Sequence, residues 1–149
     1  MTGRQQLRLA FFTPLSPQKS GVADYSEELL PHLGRLADID VVVGDYQPSS
    51  PDILRGFRVI RSAQFLAASS SYDAAVYQVA NNLAHHGYMI PCLEQAPGIL
   101  VLHDCCLDYL MLGLTLRQGD LKSLQEILRP AHGDRSGRLA KKLLFGLLD

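Results

Sequence analysis

Five short apolar runs constrain this chain more than anything else in it: Leu7 to Phe12, Ile39 to Val43, Phe57 to Ile60, Ala74 to Val79 and Ile99 to Leu102. Most are closed by Pro, Gly or polar residues, and short continuous runs of this kind suit parallel strands buried on both faces. Between them lie stretches with helical spacing, Ser20 to Leu36, Ala63 to Ala68 and Tyr88 to Gln95, with Gln47 to Pro51 read as a loop. Strands alternating with helices imply βαβ units, and right-handed crossovers wind these into an α/β doubly wound, Rossmann-like parallel sheet. The expected strand order is about 3-2-1-4-5. Beyond Asp104 the pattern turns wholly helical. Leu107, Leu110, Met111 and Leu114 form one stripe, a second helix is expected over Leu121 to Leu128 before Pro130, and a third from Ser136 to the end.

The first strand, loop and helix, RLAFFTPLSPQKSGVADYSEELLPHL, place free backbone N–H groups and a positive helix end at the carboxyl end of a strand. Anions, phosphates above all, bind at such helix starts. Pro14 and Pro17 predict a rigid loop, and Ser20 is placed to cap the helix while Asp24 suits its first turn. Val22, Tyr25, Leu29, Leu33 and Leu36 recur at helical spacing and predict the buried face. Pro31 removes one intrahelical hydrogen bond and predicts a kink or an early end. The loop has neither the full G-x-G-x-x-G pattern nor a Walker motif, so spacing alone is weak support for a phosphate site.

Three polar clusters fall at carboxyl ends of the expected strands: Lys19-Ser20-Gly21, Asn81-Asn82 with His85, and His103-Asp104. In an open parallel sheet these ends line one edge, with the ligand crevice at the topological switch point. Each cluster also admits a plain structural reading. Gly21 suits a tight turn where a side chain would clash. Asn81 and Asn82 suit a turn whose backbone groups they satisfy. His103 also admits the reading of a satisfied core histidine, but the adjacent Asp104 favours a crevice. The spacing of His85, His86, His103 and Asp104 matches no common metal-ligand signature, and no metal is expected. Neither Ser20 nor any cysteine sits in a nucleophile elbow.

Bulk properties narrow the function classes. Hydrophobic residues make up 47% and charged residues 19% of the 149, the balance of one globular domain. The net charge of -1, with no basic stripe, argues against nucleic acid as a partner. Cys92, Cys105 and Cys106 fit neither a disulfide framework nor a metal knuckle, and are read as buried reduced thiols of a cytoplasmic protein. The amino terminus does not suit a signal peptide, and no run reaches the ~20 apolar residues of a membrane span. Leu139, Ala140, Leu143, Leu144 and Leu147 form an apolar face opposite Arg138, Lys141 and Lys142. That face either lies peripherally on a membrane surface or, as preferred here, packs on the domain's own sheet or on the missing carboxyl-terminal half.

Three stretches together carry a family resemblance: RLAFFTPLSPQKSGVADYSEELLPHL, YDAAVYQVANNLAHHGYMIPCLEQAPGILVLHD and the helix beginning at Asp104. Over most of residues 7 to 112 the chain resembles the amino-terminal domain of glycosyltransferase family 4, which has the two-domain GT-B architecture. The resemblance implies one half of a retaining enzyme that moves a sugar from a nucleotide-sugar to a sugar or lipid-linked acceptor. It implies no cofactor, since the nucleotide-sugar is a substrate.

By the same resemblance, Gly21 matches the loop glycine near the donor phosphates, with Ser20 beside it. His103 matches a histidine facing the donor sugar, where it hydrogen-bonds the sugar and helps stabilise developing positive charge. Asp104 then orients His103 or polarises the acceptor hydroxyl. Asn82 and His85 match polar positions that contact acceptor, and Asn81 adjoins them. Two departures stand out: Asp108 occupies a position where relatives carry a second histidine, and Cys105 and Cys106 replace residues often aromatic or aliphatic. The family's carboxyl-terminal donor domain has no counterpart here, so the chain is read as a fragment, inactive alone and expected to dimerise through its last helix. The competing reading is a non-catalytic flavodoxin-like module that binds a ligand or a partner protein, since fold alone does not determine chemistry.

Overall fold

A computed structural model describes residues 6–144. The apolar runs form β1 (Leu7–Phe12), β2 (Ala37–Val43), β3 (Arg58–Arg61), β4 (Ala74–Val79) and β5 (Ile99–Leu102). All neighbouring pairs are parallel, in the expected order β3-β2-β1-β4-β5. The helices are α1 (Gly21–Leu33), α2 (Pro51–Gly56), α3 (Ser62–Ala67), α4 (Leu83–His86), α5 (Met89–Gln95), α6 (Asp108–Gln118), α7 (Leu121–His132) and α8 (Ser136–Leu144). The chain divides into two compact units, a sheet unit of residues 1–80 and 84–105 and a helical unit of residues 81–83 and 106–149.

In the sheet unit, alternate strand residues feed two layers. Phe11, Ile39, Val41 and Val43 pack with Leu15, Leu30 and Ile53 under α1 and α2. The opposite layer is aromatic: Phe12 stacks on Tyr77 at 4.3 Å and meets Phe65 of α3 edge-on at 4.8 Å. Burial pushes the Tyr77 phenol up to about 12, and its hydroxyl donates to the Ala96 carbonyl at 2.6 Å. At β5 the cover thins. Ile99 is 57% and Leu102 53% exposed, so this edge carries much of the bare apolar surface.

Several expectations need correction. The buried face of α1 is Val22, Ala23, Ser26 and Leu30, whereas Tyr25 and Leu36 are exposed. The rotation has a polar cause: Ser26 is fully buried because Thr13 Oγ1 donates to its hydroxyl at 2.6 Å. Leu36 lies past the helix end at Leu33, where Gly34 N–H donates to the Leu30 carbonyl at 2.9 Å. The short helix α2 begins with Pro51 in its first turn, where a missing N–H costs nothing, and buries Ile53. Pro130 does not end α7, which continues to His132 and stops at Gly133 with φ 50°. A proline in the last turn removes only one hydrogen bond. Of the cysteines, Cys92 is buried but Cys105 and Cys106 are exposed, and all are free.

In the helical unit α7 packs against both α6 and α8. Ala140 is fully buried and Leu139 and Leu143 are half-buried, and the helix that this part of the α8 face packs on is α7, where the sheet or a second domain was expected. The side chain of Leu144 and the whole of Leu147, expected on the same face, lie outside the described residues.

Candidate functional site

The β1–α1 loop is fixed by more than its prolines. Leu15 N–H donates to the Tyr46 hydroxyl and Ser16 N–H to the Glu27 carboxylate, each at 2.7 Å. Ser49 N–H donates to the Ser16 carbonyl at 2.8 Å. Below it, the Tyr88 hydroxyl shares its proton between the carbonyls of Thr13 (3.1 Å) and Val42 (3.0 Å) and so joins the carboxyl ends of β1 and β2. Gly44 makes room for that ring, since a Cβ there would sit 3.1 Å from Tyr88 Cδ1. Burial holds the Tyr88 phenol well above its ordinary range, so it stays a neutral donor.

This rigid loop delivers Ser20 and Gly21 to the start of α1. Ser20 caps the helix as expected: its hydroxyl accepts from Val22 N–H at 3.2 Å and its carbonyl from Ala23 N–H at 2.9 Å. Gly21 is the first helical residue and is exposed. Its own N–H has no intrahelical acceptor. The steric explanation for this glycine fails, because a Cβ would meet nothing within 4 Å and its φ is not positive.

One turn further along α1, Tyr25 meets the ring of His103 edge-on with centroids 5.3 Å apart. His103 directly follows β5, and its backbone N–H still donates to the Val79 carbonyl at 2.9 Å. Its ring is exposed, so it is no core histidine. Its Nε2 lies 2.6 Å from Oε1 of Gln78, a residue of β4 that is only 2% exposed. Asp104 follows, exposed. The structure thus gathers Gly21, Tyr25, Gln78 and His103 along the carboxyl edge of the sheet unit, beside the β1/β4 switch point of this strand order.

Behind Gln78 lies a residue that sequence reasoning had weighed only for metal binding. His86 is fully buried, and its Nδ1 is 3.0 Å from the Gln78 backbone carbonyl. A carbonyl only accepts, so Nδ1 carries the hydrogen and Nε2 is a bare acceptor. Among the described residues Nε2 has no partner. Burial lowers the His86 pKa, opposed by the hydrogen bond to Gln78, with His85 and His103 lowering it further. His85 is half-buried with its ring 6.4 Å from that of His86. Helical phase decides which histidine of the pair points inward, and a doublet carries no phase signal.

Asn81 and Asn82 belong to the helical unit. There Asn81 Oδ1 accepts from Leu110 N–H at 2.9 Å, and its Nδ2 donates to the Asp108 carboxylate at 2.8 Å. The same carboxylate accepts from Tyr109 N–H at 2.9 Å. Asn81 therefore closes the first turn of α6, a helix start far along the chain, rather than a turn of its own. Hydrogen bonds, that from Asn81 foremost, hold the Asp108 carboxyl below its ordinary range. Asn82 is exposed. Among the described residues no group of three or more His, Cys, Asp or Glu could hold a metal ion, and no helix is long and apolar enough to cross a membrane.

No protein-family model matches the chain, and comparison with curated proteins and with solved structures finds no match.

Proposed function

We propose that the sheet unit is the acceptor-side half of a retaining glycosyltransferase that takes its sugar from a nucleotide-sugar. One observation carries the reading: the exposed His103 ring, seated on buried Gln78, stands beside a helix that begins with a glycine no internal contact requires. Gly in a helix is disfavoured against Ala by up to ~1 kcal/mol, so an unforced glycine at a helix start suits close approach by something from outside. An anionic leaving group suits the Gly21 N–H and the positive end of α1, where a preorganised donor stabilises charge as it develops. His103 supplies a hydrogen bond to the sugar, and the resemblance of the three sequence stretches gives the two residues these roles.

The test is transfer from a panel of nucleotide-sugars by a protein carrying this chain together with its donor half. Glycosyl transfer with retention is expected. His103→Ala should lower turnover at least tenfold, as loss of a transition-state contact does. Turnover within about twofold of wild type would remove His103 from the mechanism.

A further inference from the structure

We infer that Gln78 is a positioning residue that locks His103 in one tautomer, with Nε2–H donated inward and the Nδ1 lone pair presented to the ligand. The geometry is direct. Gln78 sits in β4, opposite Val101 of β5, and is 2% exposed. Its backbone carbonyl accepts from His86 Nδ1, which ties the strand to α4. Its side-chain Oε1, 2.6 Å from His103 Nε2, has no hydrogen to give. In the neutral imidazole the other nitrogen is then an acceptor. Tyr25 flanks the ring edge-on at 5.3 Å and restricts its rotation.

The consequence is a statement about ligand chemistry. A neutral His103 held this way recognises a group that donates a hydrogen bond, such as a sugar hydroxyl, and offers nothing to a phosphate oxygen. On the proposed function, on which this assignment of the hydroxyl to a sugar rests, the rim is divided by charge. Gly21 N–H and α1 take the anion, and His103 takes a neutral hydroxyl.

The experiment is nitrogen-15 histidine spectroscopy on this chain without substrate. The wild-type protein should show a pyrrole-type Nε2–H and a pyridine-type Nδ1 at His103, with the Nε2–H exchanging slowly. Gln78→Leu should speed that exchange about tenfold, the weight of one hydrogen bond. Gln78→Glu, which keeps an acceptor, should restore it, a rescue that a merely structural role would not produce. A pyrrole-type Nδ1 in the neutral wild-type ring overturns the assignment even if neither variant folds.

Titration with methyl glucoside and with dimethyl phosphate, an anion that has no hydroxyl to donate, then separates the two ideas. Perturbation of Nδ1 by the glycoside and not by dimethyl phosphate supports both. Failure of the glycoside to perturb Nδ1 while Nε2–H stays on Gln78 counts against the glycosyl reading alone. Binding of dimethyl phosphate at Nδ1 by the neutral ring overturns the tautomer.

Discussion

The two ends of the sheet treat their polar groups in opposite ways. At the amino end the charges are paired among themselves. Asp40, buried on β2, receives the guanidinium of Arg8 at 3.2 Å, that of Arg58 at 3.4 Å and the Tyr72 hydroxyl at 2.6 Å. Arg8 also stacks its guanidinium on the Tyr72 ring at 4.8 Å, and its backbone N–H donates to the Asp73 carboxylate at 2.7 Å. Burial and the Asp40 bond push the Tyr72 phenol up to about 12. At the carboxyl end Gly21 at a helix start and the His103 ring stay exposed on a braced loop and strand, and among the described residues Nε2 of buried His86 has no partner. Polar groups closed on one another glue an edge of the fold, whereas a set held rigid but unsatisfied is what a binding site needs.

If that contrast is right, substitutions at the amino end cost stability. Asp40→Ala should cost most, about 2 to 3 kcal/mol, because it strands two guanidiniums and a phenol that share one carboxylate. Both arginines retain access to water, which keeps the loss below that of a fully buried pair. Urea unfolding measures it, and a loss under ~0.5 kcal/mol would erase the contrast. Next comes Gly98→Ala, just before β5. Its Cβ would lie 2.2 Å from the Ala75 carbonyl oxygen, a backbone atom that must move, so about 2 kcal/mol is expected in the same assay.

His86 ties the contrast to pH. Its pKa is lowered in the fold from the ordinary 6.5, so the native state refuses a proton that the unfolded chain accepts. Its contribution is therefore complete above pH ~6.5 and is lost as the pH falls from there toward the lower folded value. The slope cannot exceed ~1.4 kcal/mol per pH unit for one group. His86→Gln keeps a donor for the Gln78 carbonyl and removes the titration. Subtracting its stability profile from that of wild type should leave a difference that grows only on the acid side. A flat difference from pH 8 to roughly pH 5 would mean that His86 is not buried neutral.

The sequence made these two ends legible to different degrees. The strands could be read because continuous apolar runs bounded by Gly, Pro and polar residues leave few alternatives, and the order 3-2-1-4-5 followed. The face of α1 was misjudged because Thr13 and Ser26 bury each other's hydroxyls, and hydropathy counts both as surface. Ser20, Gly21 and His103 were legible as residues that end strands or begin helices. Gln78 was not, although a glutamine within an otherwise apolar run is itself a sign, since burying an amide demands a partner. Asn81 satisfies Leu110 N–H across 29 positions, and no local pattern encodes a contact of that separation.

The smallest effect sharpens the comparison most. Gly21→Ala adds one methyl to the first turn of α1, where nothing lies within 4 Å and the backbone has no positive φ. The unfolded chain loses freedom while the folded chain loses nothing, so stability should stay level or rise by at most ~0.5 kcal/mol. Gly98→Ala in the same fold is expected to do the reverse, so the pair separates a glycine the fold requires from one it does not. A loss above 1 kcal/mol in Gly21→Ala would show that this glycine serves the fold after all. Level stability combined with weaker binding of a nucleotide-sugar would place the requirement outside the chain, on a ligand that needs the space a methyl fills.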